Sequence, residues 1–177
     1  LQTNLEKGFY SLLWISILLS MMLATEDIFL EDFSDGSLEQ TIISNASFPL
    51  LIAKKIFIYW LMIGVPISFL SFLFSLSLTQ DFNLSLSIFP LSVVSSYIFL
   101  NLFVFGNALS LNKGSVLGAI ITMPLALPVL IILGKSIIAI EFGINYVEFL
   151  LLLLGTLSII ITIVPFIISY VIKAHLE

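Results

Sequence analysis

Ser34-Asp35-Gly36-Ser37-Leu38-Glu39-Gln40 lies inside the one long polar interruption, residues 25–55, of an otherwise apolar chain. Asp35-Gly36 is a turn pair, because Gly36 takes positive φ at little steric cost. Ser37 is a good N-cap residue, and Gln40 stands three residues on, where its side chain reaches back to the Ser37 amide. That is a capping box of the S-x-x-Q type. The spacing predicts a short helix over 38–44 with Leu38 and Ile42 on one face, closed by Asn45, Ser47 and Pro49. Long apolar runs flank the stretch on both sides. It reads as a short helix on the cytoplasmic face of a membrane domain, shaped to be gripped by a partner.

Composition fixes the class. Of 177 residues, 60% are hydrophobic and 10% charged, whereas a soluble domain carries about 25% charged residues. The fold class is all-α: a polytopic integral membrane helical bundle. A bilayer core needs roughly 20 apolar residues per helix, and five runs approach that length, at 8–24, 56–78, 84–111, 116–140 and 147–172. They form a single transmembrane domain over 1–177, with the loop 25–55 as its largest soluble feature. Ile28, Phe29, Leu30 and Phe33 extend the pattern of the first run, so its helix is expected to project beyond the membrane. The segment 79–83 is a tight exposed turn, and Asn112-Lys113-Gly114 another. Pro66, Pro124 and Pro128 are expected to bend or break their helices, and Pro90 to kink the third.

All six basic residues are Lys. Lys54, Lys55, Lys113 and Lys173 fall on one side of the membrane, Lys7 and Lys135 on the other. The positive-inside rule makes the 25–55 loop and the C-terminus cytoplasmic. Tyr59, Trp60 and Tyr170 then mark the inner interface, Tyr10 and Tyr146 the outer. Neither a basic n-region nor a cleavage site precedes the first run, and the chain opens at Leu1 without Met.

Chemistry is sparse. The absence of Cys excludes disulfides and a thiol nucleophile. Within the spans only Lys135 and Glu148 are ionisable, both near outer helix ends, where snorkelling or mutual pairing accounts for them. Asn101 and Asn107 lie deeper, roughly two turns apart, and point to interhelical hydrogen bonds or to a lined path. The sole His is His175, so a His-ligated haem or a His base has no residue inside the membrane. Met21, Met22, Met62 and Met123 read as packing residues. Gly114-x-x-x-Gly118 suits close helix contact. Lys113-Gly114-Ser115 does not meet the order of a phosphate loop, so ATP, if used, is bound by another subunit. Asn45-Ala-Ser47 and Asn83-Leu-Ser85 fit the glycosylation pattern by chance in a Ser-rich chain.

The net charge of −5 is unevenly placed: Glu26, Asp27, Glu31, Asp32, Asp35 and Glu39 all fall in one loop. They make either a solvated face or a surface for a partner with complementary basic groups. The turn, cap and apolar stripe favour the second reading. The expected surroundings are a protein partner and the lipid bilayer, not nucleic acid.

The string 31–40, Glu-Asp-Phe-Ser-Asp-Gly-Ser-Leu-Glu-Gln, is followed by Ala53-Lys54 and by Trp60, Gly64 and Pro66 in a Trp-x-x-x-Gly-x-Pro pattern. Together they closely resemble the CcmB family, membrane subunits of the cytochrome c maturation ABC system. The likeness runs through the whole chain in span order. It implies a permease subunit without catalysis of its own, in a family of six spans whose first would precede Leu1. It also implies an ATPase partner, CcmA, further partners CcmC and CcmD, and release of the haem-loaded chaperone CcmE. Haem would be handled by the complex and ATP bound by the partner, with no cofactor or metal on this chain. The coupling residues would be Asp35, Gly36, Ser37, Leu38, Glu39, Gln40 and Ile42. A bacterial or a mitochondrial inner membrane fits, and an Ile-, Phe-, Lys- and Asn-leaning composition without Arg points to an AT-rich genome without choosing between them. A purely structural assembly subunit, or a secondary carrier, remains the alternative.

Overall fold

The computed structural model describes residues 2–44, 47–111 and 115–176, with side chains from 8 onward except at 115, 116 and 176. Asn45, Ala46 and the Asn112-Lys113-Gly114 turn lie outside the described residues, as does the side chain of Lys7. Every regular element among the described residues is helical. In chain order they are α1 (Gln2–Ala24), α2 (Leu30–Ser34), α3 (Ser37–Ile43), α4 (Phe48–Tyr59), a π-helical turn (Trp60–Gly64), α5 (Val65–Thr79), α6 (Phe82–Leu109), α7 (Ser115–Glu141) and α8 (Val147–Leu176).

Four helical runs are long and apolar enough to cross a membrane: Phe48–Thr79, Phe82–Leu109, Leu117–Glu141 and Val147–His175; the apolar part of α1, Gly8–Ala24, is shorter. The architecture is thus an all-α polytopic membrane bundle. Helix α6 is its axis. It packs against α1, α5, α7 and α8, and 72% of its apolar window is buried, against 22–28% for the other three runs. The outer helices therefore turn most of their surface outward, as an apolar solvent permits.

The axis is polar where it is most enclosed. Ser85, Ser92, Ser95 and Ser96 of α6 are buried, and so are Ser68, Ser71 and Ser75 of α5. Their hydroxyls mostly donate to carbonyls one turn back, as Ser92 does to Ile88 at 3.0 Å and Ser71 to Ile67 at 2.9 Å. A group that satisfies itself this way is tolerated inside a membrane bundle and leaves room for close packing. The two helices run antiparallel along this seam, with Ser75 Oγ 3.1 Å from Ser85 Oγ and Ser68 Oγ 3.4 Å from Ser96 Oγ. Tyr10, expected at the outer interface, is instead buried, its hydroxyl 3.4 Å from Ser75 Oγ.

Helices α6 and α7 approach through glycines. A Cβ on Gly106 would lie 2.5 Å from the Gly118 carbonyl oxygen, and one on Gly118 would lie 2.5 Å from that of Gly106. Gly118 is a contact residue as its spacing suggested, but its described partner is on the neighbouring helix; Gly114 lies outside the described residues.

The prolines do not break their helices. Helix α7 runs unbroken through Pro124 and Pro128, and α6 through Pro90. Proline is tolerated in membrane helices because neighbouring helices, hydroxyl side chains and small local adjustments satisfy the carbonyl it frees. Pro49 does not close a helix but opens one, in the first turn of α4, where its absent N–H is no loss. Residues 48–55, expected as loop, thus belong to a helix of 32 residues, Phe48–Thr79. At 1.5 Å per residue it is about 48 Å long, well beyond a core of about 30 Å, so its first turns stand clear of the hydrocarbon. Pro66 is the second residue after the π-helical turn, which ends at Gly64. The tight turn between α5 and α6 forms as predicted: Gln80 is left-handed at φ 53°, and Asp81 Oδ1 accepts from the amides of Asn83 and Leu84.

Met21 is core, whereas Met62 and Met123 face outward, 70% and 43% exposed. Lys135 and Glu148 are both exposed. The indole Nε1 of Trp14 is buried and has no hydrogen-bond partner among the described residues. Two substitutions separate packing from polarity. Gly106→Ala is expected to destabilise the detergent-solubilised chain by about 1–3 kcal/mol through backbone displacement, read as a lowered thermal midpoint. Trp14→Phe removes an orphan donor and should be neutral or stabilising by about 1 kcal/mol. A Gly106→Ala protein as stable as its parent would mean that the α6–α7 crossing is looser than described.

Candidate functional site: the acidic loop

The first helix does not project. It stops at Ala24, where the Thr25 hydroxyl donates to the carbonyls of Met21 and Met22. Asn107 of α6 then donates through Nδ2 to the Thr25 carbonyl at 2.6 Å and lies 3.2 Å from Thr25 Oγ1. Tight three-residue turns follow, with Ile28 N bonded to Thr25 O and Leu30 N to Asp27 O. They swing Ile28 and Phe29 into the core, each 2% exposed. Asn107 is therefore interhelical, one of the two expectations for it. Asn101 is not: it is 1% exposed and its Nδ2 bonds the Tyr97 carbonyl of its own helix at 2.8 Å. The two asparagines share a helix but no site. Asn107 also borders a cleft of about 190 Å³ with Glu26, Asp27, Phe29, Leu30, Ser110 and Leu111.

A second tie joins the loop to α4. Lys55 forms an ion pair with Asp32 and stands 5.4 Å above the centre of the Phe29 ring. The side chains are 28% and 36% exposed, so the pair is screened and contributes on the order of 1 kcal/mol or less, with the ring adding a similar amount. Its value is positional. It fixes α2 against the first two turns of α4.

Between α2 and α3 the chain reverses at Gly36, whose φ of 76° is the left-handed value expected of it. The capping box does not form. Gly36 occupies the cap position, no side chain caps the helix from there, and Ser37 is already helical. Asp35 Oδ1 takes the Ser37 amide at 2.9 Å, and the Ser37 hydroxyl donates backwards to the Asp32 carbonyl at 3.2 Å. A carboxylate two residues ahead of an amide, across a glycine turn, outcompetes the longer reach from Gln40. The bond from the Ser37 amide holds the Asp35 carboxyl below its ordinary value of 3.8.

Helix α3 shows two faces, and the buried one was assigned to the wrong surroundings. Leu38 is 5% exposed and packs into the bundle, with Ile42 half-buried beside it. The apolar stripe grips the protein's own membrane domain. What α3 turns outward is Glu39, Gln40 and Ile43, the last 79% exposed, next to the exposed Asp35. Ile43 was missed because it lies off the Leu38–Ile42 stripe. Among the described residues no group of three His, Cys, Asp or Glu could hold a metal, and His175 Nδ1 lies 2.8 Å from the Val171 carbonyl of its own helix. The site offers no reactive constellation. It offers a small anionic platform on a fixed base.

The profile of the CcmB protein family matches residues 3–175. The chain is 30% identical over 166 residues to heme exporter protein B of Haemophilus influenzae, covering 93% of this chain and 75% of that protein. It is 32% identical over 161 residues to heme exporter protein B of Pseudomonas aeruginosa, covering 89% and 72%. A 60-residue stretch is 37% identical to the Escherichia coli K12 protein of that name, covering 34% and 27%.

The geometry predicts which loop substitutions disturb the base. Leu38→Asp buries a charge, at a cost on the order of 3 kcal/mol, and should release residues 25–44 to a protease in the isolated chain. Glu39→Lys should leave the protection unchanged. Equal digestion of both would contradict the burial of Leu38. Acid acts on the same turn with a definite sign. The Asp35 contribution is present above its unfolded pKa and lost as pH falls through the lower folded value. Hydrogen exchange should therefore show the 35–38 turn loosening only below about pH 4, and Asp35→Asn should abolish that step.

Proposed function

The chain belongs to the CcmB family, and from that premise we propose that it couples ATP hydrolysis by a partner subunit to haem delivery in cytochrome c maturation. Family membership makes it a multi-pass membrane transport subunit of the haem-exporter type, and not itself an enzyme. The proposal adds the moving part and its partners. The ATPase, CcmA, docks on the outward face of α3; CcmC, CcmD and the haem chaperone CcmE complete the complex in a bacterial or mitochondrial inner membrane. ATP sits in the ATPase, and haem is cargo of the complex.

One observation carries this reading: a two-faced helix whose buried side is fixed to the bundle and whose outer side is acidic with one exposed apolar residue. A solvated loop has no need of an anchored base. Charged surface of this kind raises the rate and selectivity of docking more than its affinity, and Ile43, flanked by Glu39 and Gln40, gives the partner an apolar contact. Because Leu38 and Ile42 face the bundle, the contact set proposed for the ATPase is Asp35, Glu39, Gln40 and Ile43. Gly36, Ser37, Leu38 and Ile42 hold that set in place. Pro66 lies in the helix that leads from the loop; Pro124 and Pro128 lie inside the continuous helix α7 and have no assigned part.

The Cys-free sequence permits a direct test. Ile43→Cys carrying a short photo-crosslinker, in membranes holding the assembled complex, is expected to capture the ATPase, with a yield that changes on adding nucleotide. Glu39→Lys should slow complex formation, with a weaker salt dependence than the parent shows. An assembled complex that gives no ATPase adduct would favour a purely structural subunit instead.

A further inference from the structure

The 32-residue run Phe48–Thr79 is one helix in outline and two in its hydrogen bonding. At its middle the Val65 amide bonds the Trp60 carbonyl, five residues back instead of four. The next residue is Pro66, which has no amide to give. Two defects thus fall within a single turn, and the ladder is weakest there.

The same turn is clasped by the axis of the bundle. The Trp60 indole lies across Gly64 so closely that a Cβ on Gly64 would stand 2.4 Å from Trp60 Cδ1 and 2.8 Å from Nε1. That Nε1 donates to Ser96 Oγ of α6 at 3.1 Å, and the ring stacks on Tyr97 at 4.8 Å and 30°. Ser68 bonds the Gly64 carbonyl at 2.7 Å and lies against the same Ser96 hydroxyl. Weak backbone and strong side-chain fastening coincide. A plain irregularity needs the first but not the second.

We propose that 60–66 is a hinge, and that Trp60 on Ser96 and Tyr97 is the latch that holds it in the position seen here. Releasing the latch lets α4 tilt against the fixed α5–α6 pair. Lys55, five residues from the hinge, is paired with Asp32, so a tilt of α4 shifts or breaks its tie to the acidic loop, whose other anchors are on the bundle. The hinge is a property of this chain alone and stands whichever partner docks on the loop.

The geometry sets the size of the effect. Leu50 lies ten residues below the turn, roughly 15 Å along the helix, so a tilt of about 20° displaces it by about 5 Å. Spin labels in pairs, on the full chain in lipid nanodiscs, read this directly. Leu50→Cys with Ile120→Cys reports the loop end, and Phe74→Cys with Ile138→Cys reports the opposite end; all four sites are exposed. Two unlatching variants are compared with the parent. Gly64→Ala pushes the indole off its seat, and Ser96→Ala removes only the acceptor, which keeps the test alive if the first does not fold. The expected result is a loop-end distance distribution shifted or broadened by about 5 Å, with the opposite-end pair unchanged. A loop-end pair identical to the parent in every variant that folds would overturn the hinge. So would equal broadening of both pairs, which means general loosening.

Discussion

Everything in this bundle depends on α6 being enclosed on nearly all sides while remaining free of unmet polar groups. A helix at the centre of a membrane domain has neither water nor a hydrophobic driving force to organise its neighbours. It must offer close contact and internal satisfaction. The α6 serines do both: small enough for α5 to approach, and bonded to carbonyls of their own turn. Gly106 does the same for α7 by omitting a side chain where Gly118 comes within reach. The other helices, most of whose surface faces outward, are then positioned by what they touch on α6 and little else.

The acidic loop inherits its order from the same axis. Asn107 holds Thr25, which ends α1, and that ending turns Ile28 and Phe29 inward. With Phe29 in place Lys55 has a ring beneath it and Asp32 beside it. With α2 fixed, Gly36 reverses the chain so that Leu38 also enters the core. None of these contacts is strong alone, and the exposed ion pair least of all. They act in series, so the outward face of α3 is as fixed as the weakest of them.

How much of this was legible in the sequence follows from what each residue type constrains. Apolar runs gave the spans, since length and hydropathy have few other meanings. Gly36 and the Gln80-Asp81 turn were legible because a glycine turn and a capping carboxylate act within a few residues. The capping box at Ser37 failed because Asp35 competed for the same amide, and both are acceptable partners on paper. Pro49 was misread because proline opens helices as readily as it closes them. The stripe of Leu38 and Ile42 was correctly seen as apolar, but periodicity says which face is buried and not against what. That single ambiguity left Leu38 and Ile42 among the residues expected to meet a partner, although they pack on the bundle.

The π-helical turn itself was not readable beyond the irregularity expected at Pro66, and the reason bears on how the chain works. Pro66 was read as a bend, Trp60 as an interface ring and the three together as a spacing shared with a family; nothing local says that an indole will lie over a glycine. The arrangement makes sense only once Ser96 and Tyr97 are brought alongside, 36 and 37 residues further on. A proline by itself weakens a helix without directing it, as the unbroken courses of α6 and α7 show. A proline beside a π-turn, with a ring fastened across it to a second helix, has a definite closed state. The loop end and the membrane end of Phe48–Thr79 therefore meet at a joint whose resting position is set by α6, the one element least able to move.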